Sequence, residues 1–404
     1  MGSKEKKPTT GTDVQVPLDN EKFDSGVVAW STVAGGFLTV ATTFGYANSF
    51  GVYQDLYTRS NTASASAISW IGSTQLFFLL AMALPAGKLL DMGHFRMTTL
   101  VGSLIYVFSI FMVSISHVDK FYQLYLSQGL GMGIGAGLLY VPSVAVQAHH
   151  WRSRRALAMG IVATGSSLGG IVFPIILNQL FKSSVGFQWG VRASAFIVLG
   201  MLLFANLLMI PKPRAKATER PKMDLKGIMT DKPYLISIFS VFVIDWGVFF
   251  PYFYFQLFSV LHGIDAQSAF YCIAILNAAA IPGRVLPNML ADHLGPYNVA
   301  IPCVVSCGIL IFAMLGVKTV AGMVILAILY GFMSGAILAL TAPAFAVLSR
   351  DPSEVGIRFG IAFSLTSFGA LMGNPIDGAL LGKTFPWIKP ITFSGVRFHL
   401  AQDS

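Results

Sequence analysis

Residues 319–348 read TVAGMVILAILYGFMSGAILALTAPAFAVL, without one charged side chain. A bilayer core takes about 20 helical residues to cross. In hydrocarbon every backbone polar group must be bonded within its own segment, so a run of this length predicts a membrane helix. Comparable apolar runs lie before it at about 27–50, 67–90, 98–116, 121–147, 156–181 and 190–210, then at 234–260, 266–291 and 297–317. One more follows at 356–382. Charged residues make up 11% of the 404 residues and the AVILMFWYC set 54%, against roughly 25% charged in ordinary soluble domains. The expected fold class is an all-α membrane protein: six helices, a basic linker, then five.

The net charge of +9 is spread in a way that excludes a nucleic-acid partner. Lys212, Arg214, Lys216, Arg220, Lys222, Lys226 and Lys232 share one short stretch, and Arg152, Arg154 and Arg155 another, with little aromatic interleaving. Basic residues gather in alternate loops, the positive-inside signal for cytoplasmic loops. This places the N-terminus, Lys88–Arg96, His149–Arg155, 211–232, the Asp292 region and Arg350–Arg358 inside, and the lipid bilayer becomes the first partner. Cys272, Cys303 and Cys307 all lie in apolar runs, with no metal-ligand or disulfide spacing. No metal and no cofactor is expected.

Residues 1–23 are polar and read as a disordered cytosolic tail. They hold no signal peptide, and Lys6 stands where a myristoylation site needs Ser or Thr. The remaining units are a six-helix bundle (24–210), a cytosolic linker (211–233), a second bundle (234–385) and a final region (386–404). The halves echo each other. Gly87–Asp91, with Gly93 and Arg96, follows the second run, and Asn288–Asp292, with Gly295, follows the eighth. Two related bundles with a site between them near the midplane is the general plan of secondary carriers.

Three segments carry a resemblance to a known family. The first run opens Asp24-Ser-Gly26-Val-Val-Ala-Trp30. The fifth opens His150-Trp151-Arg152-Ser-Arg154-Arg155-Ala-Leu157-Ala158-Met-Gly160 and continues Gly165-Ser166-Ser167-Leu-Gly169-Gly170. The eleventh holds Gly373-Asn374-Pro375. The chain resembles the fungal branch of the monocarboxylate-transporter-like major facilitators over about residues 24–385. The resemblance implies the major facilitator fold, two six-helix bundles, here six plus five, and carriage of a small organic solute by alternating access. It also implies that Asp91, Arg96 and Asp292 help to gate one conformation. The other reading of these three is ordinary loop charge pairs.

An ionisable group at membrane depth marks function by default. Arg284 lies in the eighth run, about 10 Å from its cytoplasmic end by helical rise. It matches by context the arginine with which the monocarboxylate transporters meet their substrate, and a planar guanidinium suits a carboxylate. The alternative is snorkelling to the inner face. Asp245, in the middle of the seventh run, reads as a proton carrier, as a partner for Arg284, or as a structural hydrogen bond. The family's late first-helix lysine falls here at Asn48, and its aspartate one turn before the arginine at Ala280. Both departures point away from lactate or pyruvate and leave a larger heterocycle such as riboflavin as the alternative solute. Asn48, Tyr53, Asn277, Tyr254, Gln256 and Asn374 can supply neutral hydrogen bonds.

No Walker A or HExxH sequence occurs, so an enzyme is not expected. A carrier and a transporter-like sensor are not separable at this level. After Phe385-Pro-Trp387 only a short stretch precedes Arg397, too few residues to cross roughly 30 Å of hydrocarbon. A truncated or aberrant twelfth helix is therefore expected, together with a possible loss of transport. The host membrane is read as the plasma or vacuolar membrane. A tag at the N-terminus, or at Lys216 in the linker, is expected to be labelled only after permeabilisation. Labelling of intact cells at either position would reverse the topology.

Overall fold

The computed structural model describes residues 26–212, 225–350, 354–381 and 387–402. The expected tail, Asp24 and most of the basic linker lie outside these. The first half comprises α1 (Val27–Arg59), α2 (Ala67–Asp91), α3 (Phe95–Ile115), α4 (Phe121–His149), α5 (Arg155–Lys182) and α6 (Gly186–Leu208). After a short helix, Leu225–Met229, come α7 (Lys232–Leu261), α8 (Ala266–Leu294), α9 (Pro296–Gly316), α10 (Val320–Val347), α11 (Val355–Leu381) and α12 (Ile388–Gln402). The described residues form an integral multi-pass membrane protein, and eleven of its helices are long and apolar enough to cross a bilayer.

Local chemistry starts these helices where the runs begin. Ser64 accepts the Ala67 amide ahead of α2, Asp265 the Ser268 amide ahead of α8, and Thr319 the Gly322 amide ahead of α10. Each satisfies an otherwise orphaned first-turn donor. On α4 the glycines sort into two faces. A Cβ at Gly129, Gly133 or Gly137 would meet α2 at Ile71, Gln75 or Phe78, while one at Gly131 or Gly135 would meet α3 at Ser109 or Tyr106. Small residues therefore wedge α4 between two neighbours at backbone distance.

The halves meet along two seams, α2 with α11 and α5 with α8. Both are backbone-to-backbone. A Cβ at Gly87 would stand 2.0 Å from the Gly356 carbonyl oxygen, and one at Gly160 would stand 2.4 Å from that of Arg284. The Ser364 hydroxyl donates to the Ala81 carbonyl at 2.7 Å across the first seam.

Two segments of the second half have local structure that the lengths of the apolar runs do not convey. The Gly373-Asn374-Pro375 break does not interrupt α11, which runs through it. A proline removes one helical hydrogen bond without forcing an end, and Gly373 lets α11 close on Trp246 of α7. The final region is a helix, α12, about 22 Å long by helical rise, and so below the hydrocarbon thickness. It docks on α7 and α9, because Ile391, Ser394 and Phe398 fall on one face and are fully buried. Counting residues against a bilayer says nothing of that stripe.

Gly87→Val is expected to lower stability by about 1–3 kcal/mol by overpacking a closed seam. Gly200→Ala, where nothing lies within 4 Å, is the control. Equal melting temperatures for the two variants in detergent would show the seam to be slack.

Candidate functional site

At the centre, where α1, α4 and α5 face α7, α8 and α11, a small cavity of about 40 Å³ remains. Phe44, Tyr140, Phe249 and Phe363 supply aromatic walls, and Arg284 and Asp245 the charge-bearing groups. Phe44 lies 5.6 Å from Tyr140 and 6.4 Å from Phe249, ring to ring, so aromatics of both halves touch across the midline. Such a volume holds one or two waters. The site is closed in this conformation.

Arg284 on α8 is buried, which excludes snorkelling to the face. Its Nη1 donates to the Ala163 carbonyl at 2.5 Å and to the Ser166 hydroxyl, both on α5 of the other half. Tyr252 on α7 also lies against it, and the Tyr252 hydroxyl reaches Ser334 on α10 at 3.1 Å. Nε of Arg284 has no hydrogen-bond partner among the described residues. A buried cation held only by neutral acceptors is incompletely compensated.

Asp245 on α7 borders the same cavity and rests beside Thr366 of α11. No ion pair joins it to Arg284 among the described residues, so the expected pairing is not formed here. Tyr140 stands within electrostatic reach of both. Asn277, two turns outward of Arg284 on α8, is buried with Oδ1 unpartnered. Asn48 faces it across Gly170, whose Cβ would lie 2.9 Å from Asn48 Nδ2 and 3.0 Å from Asn277 Oδ1. Asn48 Nδ2 also donates to the Ser166 carbonyl at 3.5 Å. Arg284, Asn277 and Asn48 thus form one polar file along the α5–α8 seam.

The other sequence candidates fall elsewhere. Tyr53 is buried inside the first bundle, bonded to Tyr46 at 2.6 Å and packed on Tyr57, Phe181 and Phe187. Tyr254 packs on Phe250 and faces Asp377 in the second bundle, and Gln256 is exposed. The Asn374 side chain lies outside the described residues. Position along a run does not say which face a side chain takes, and these three residues point away from the cavity for that reason.

On the face that carries the basic loops, the repeat becomes a pair of reciprocal caps. Asp91, at the end of α2, accepts the Ile357 amide at 2.7 Å in the first turn of α11. Asp292, near the end of α8, accepts the Ala156 and Leu157 amides at 2.8 and 3.0 Å in the first turn of α5. Helix N-termini carry unsatisfied amides and partial positive charge, and a carboxylate meets both. Arg96 is exposed, and the ion pairs among the described residues do not include one between it and Asp91. Arg358, which sequence reading left among the loop charges, is fully buried beside this cap. It pairs with Asp231 at 2.9 Å and Glu354 at 3.2 Å and lies over the Tyr234 ring. Its i,i+4 spacing from Glu354 was the available signal. Asp377, buried and accepting from Ser394 at 3.2 Å, was likewise missed. An aspartate in an apolar stretch was the sign.

The chain matches the Major Facilitator Superfamily over residues 34–374. It is 39% identical to the MFS-type transporter dbaD of Emericella nidulans, over 94% of this chain and 84% of that protein. It is 38% identical to the aspyridones efflux protein apdF of the same organism, over 93% of this chain and 77% of that one. To the agnestins efflux protein AgnL12 of Paecilomyces divaricatus it is 35% identical, covering 86% and 80%. Among solved structures, the transporter FucP in its outward conformation superposes with a TM-score of 0.69 at 14% identity, over 92% of this chain and 97% of that one.

Each hydrogen bond to a carboxylate is worth about 1.5–3 kcal/mol, so removing either cap is expected to loosen the basic-loop face. Asp292→Ala, which loses two bonds, is expected to raise thiol labelling of a cysteine placed at Ala163 more than Asp91→Ala does. No increase with either variant would show that the caps do not hold the face closed.

Proposed function

Because the chain belongs to the Major Facilitator Superfamily, we propose that it carries a planar organic anion across the membrane by alternating access, with Arg284 reading the charge. The observation that carries this reading is the buried guanidinium at the interface of the halves, lacking a carboxylate partner and walled by aromatic rings. Rings suit a flat conjugated ligand, and the cation suits an acid or enolate. Relatives named as efflux proteins for aspyridones and agnestins favour export of a secondary metabolite. The resemblance to monocarboxylate carriers supports the anion but not lactate, since Asn48 and Ala280 replace that chemistry.

The closed caps lie on the basic-loop face, which the charge bias assigns to the cytoplasm. A ligand leaving outward would then exit through the end that carries Asn48 and Asn277. Opening must enlarge the cavity severalfold to admit such a ligand. Asp245 stands at the cavity with no counter-ion among the described residues, which supports a role in proton coupling. Export fits the plasma membrane.

The test is uptake of labelled 1-naphthoate, lactate, riboflavin and the neutral methyl 1-naphthoate into inside-out vesicles at two pH values. The aromatic acid is expected to be taken up in preference to the others. Arg284→Ala and Arg284→Lys should lower that uptake at least tenfold at matched expression. Wild-type rates in both variants would overturn the reading. A proton gradient is expected to accelerate uptake in the wild type and not in Asp245→Asn. Initial rates that ignore the gradient would mean facilitated diffusion.

A further inference from the structure

Ser166 stands at the cavity, buried, on the half opposite Arg284. Its hydroxyl has one proton, and that proton is directed at the Ala163 carbonyl at 2.9 Å. The oxygen is thereby left as an oriented acceptor, and Arg284 Nη1 donates to it and to the same Ala163 carbonyl. Two neutral oxygens thus converge on one guanidinium nitrogen, where an oxygen of an anionic ligand could accept in their place.

We propose that Ser166, with the Ala163 carbonyl, is an internal stand-in for the ligand's anionic group, so that binding exchanges an inter-half bond for a ligand bond. This rests on the reading that Arg284 takes the ligand's charge. A charged acceptor holds a guanidinium more strongly than a neutral one, so an incoming anion displaces α5 from Arg284. The bonds given up are those that join α5 to α8 at the cavity, above the Asp292 cap. Ligand arrival and loosening of that seam are therefore one event. Without ligand the stand-in re-forms and returns the halves to the closed arrangement. Ser166 is a positioning residue in this scheme: it acts on the ligand only through Arg284. Its effect on affinity is opposite to that of a ligand contact, because removing it frees the guanidinium.

Three measurements on the purified full chain decide it. The first is 1-naphthoate binding by intrinsic tryptophan fluorescence. The second is the KM and kcat of vesicle uptake. The third is hydrogen exchange of amides 160–167 without ligand. Ser166→Ala is expected to tighten binding and lower KM by about tenfold, the worth of one bond to a charged group. It should also lower kcat and speed amide exchange. Ser166→Thr, which keeps the oxygen, should restore wild-type values. In an Arg284→Ala background, Ser166→Ala should leave binding unchanged. A higher or unchanged KM in Ser166→Ala, with Arg284→Ala still defective, would overturn the stand-in and leave Arg284's role intact. Wild-type binding by Arg284→Ala would instead overturn both.

Discussion

Two carboxylates, each capping a helix of the other half, are the constraint on which this arrangement depends. Asp91 on α2 closes the first turn of α11, and Asp292 on α8 closes the first turn of α5. Because the donors are backbone amides, the caps can form only when the helices approach to van der Waals distance. Gly87, Gly356 and Gly160 allow that approach. Arg358 then fixes the start of α11 to α7 through Asp231, and the Tyr234 hydroxyl donates to the Arg358 carbonyl at 2.5 Å. The central cavity lies above these seams, and its small volume follows from their closure. Separate either cap, and first-turn amides lose their carboxylate acceptor.

How much of this could be read in advance depends on the range of the interaction. The eleven spans follow from composition alone, because hydrocarbon imposes its requirement on each helix separately. The two faces of α4 follow from the four-residue spacing of Gly129, Gly133 and Gly137. The echo of Gly87–Asp91 in Asn288–Asp292 marked two equivalent loops, yet not their partners, which lie 266 and 136 positions away. Burial of Arg358 and the inward turn of Tyr53 depend on which helices become neighbours, and no local pattern states that. The docked stripe of α12 escaped because the length of the segment was weighed without its periodicity.

At the centre, Arg284 and Asp245 border one cavity and do not pair. A direct ion pair would cancel both charges. Held apart, one by the acceptors of α5 and the other beside Thr366, each stays available to a different partner. The polar file of Asn48 and Asn277 extends the site outward along the same seam. The aromatic walls provide shape without directional demand.

The glycine contacts of the two seams have a consequence for how such proteins diversify. Contact there is made largely by main-chain atoms, which every sequence shares, whereas aromatic side chains form the cavity walls. Mutations that remodel the pocket for a new cargo leave the moving parts fitted to one another. Mutations at the glycines jam them whatever the cargo. Wall residues can therefore vary within a lineage while the close-packed seams are inherited unaltered.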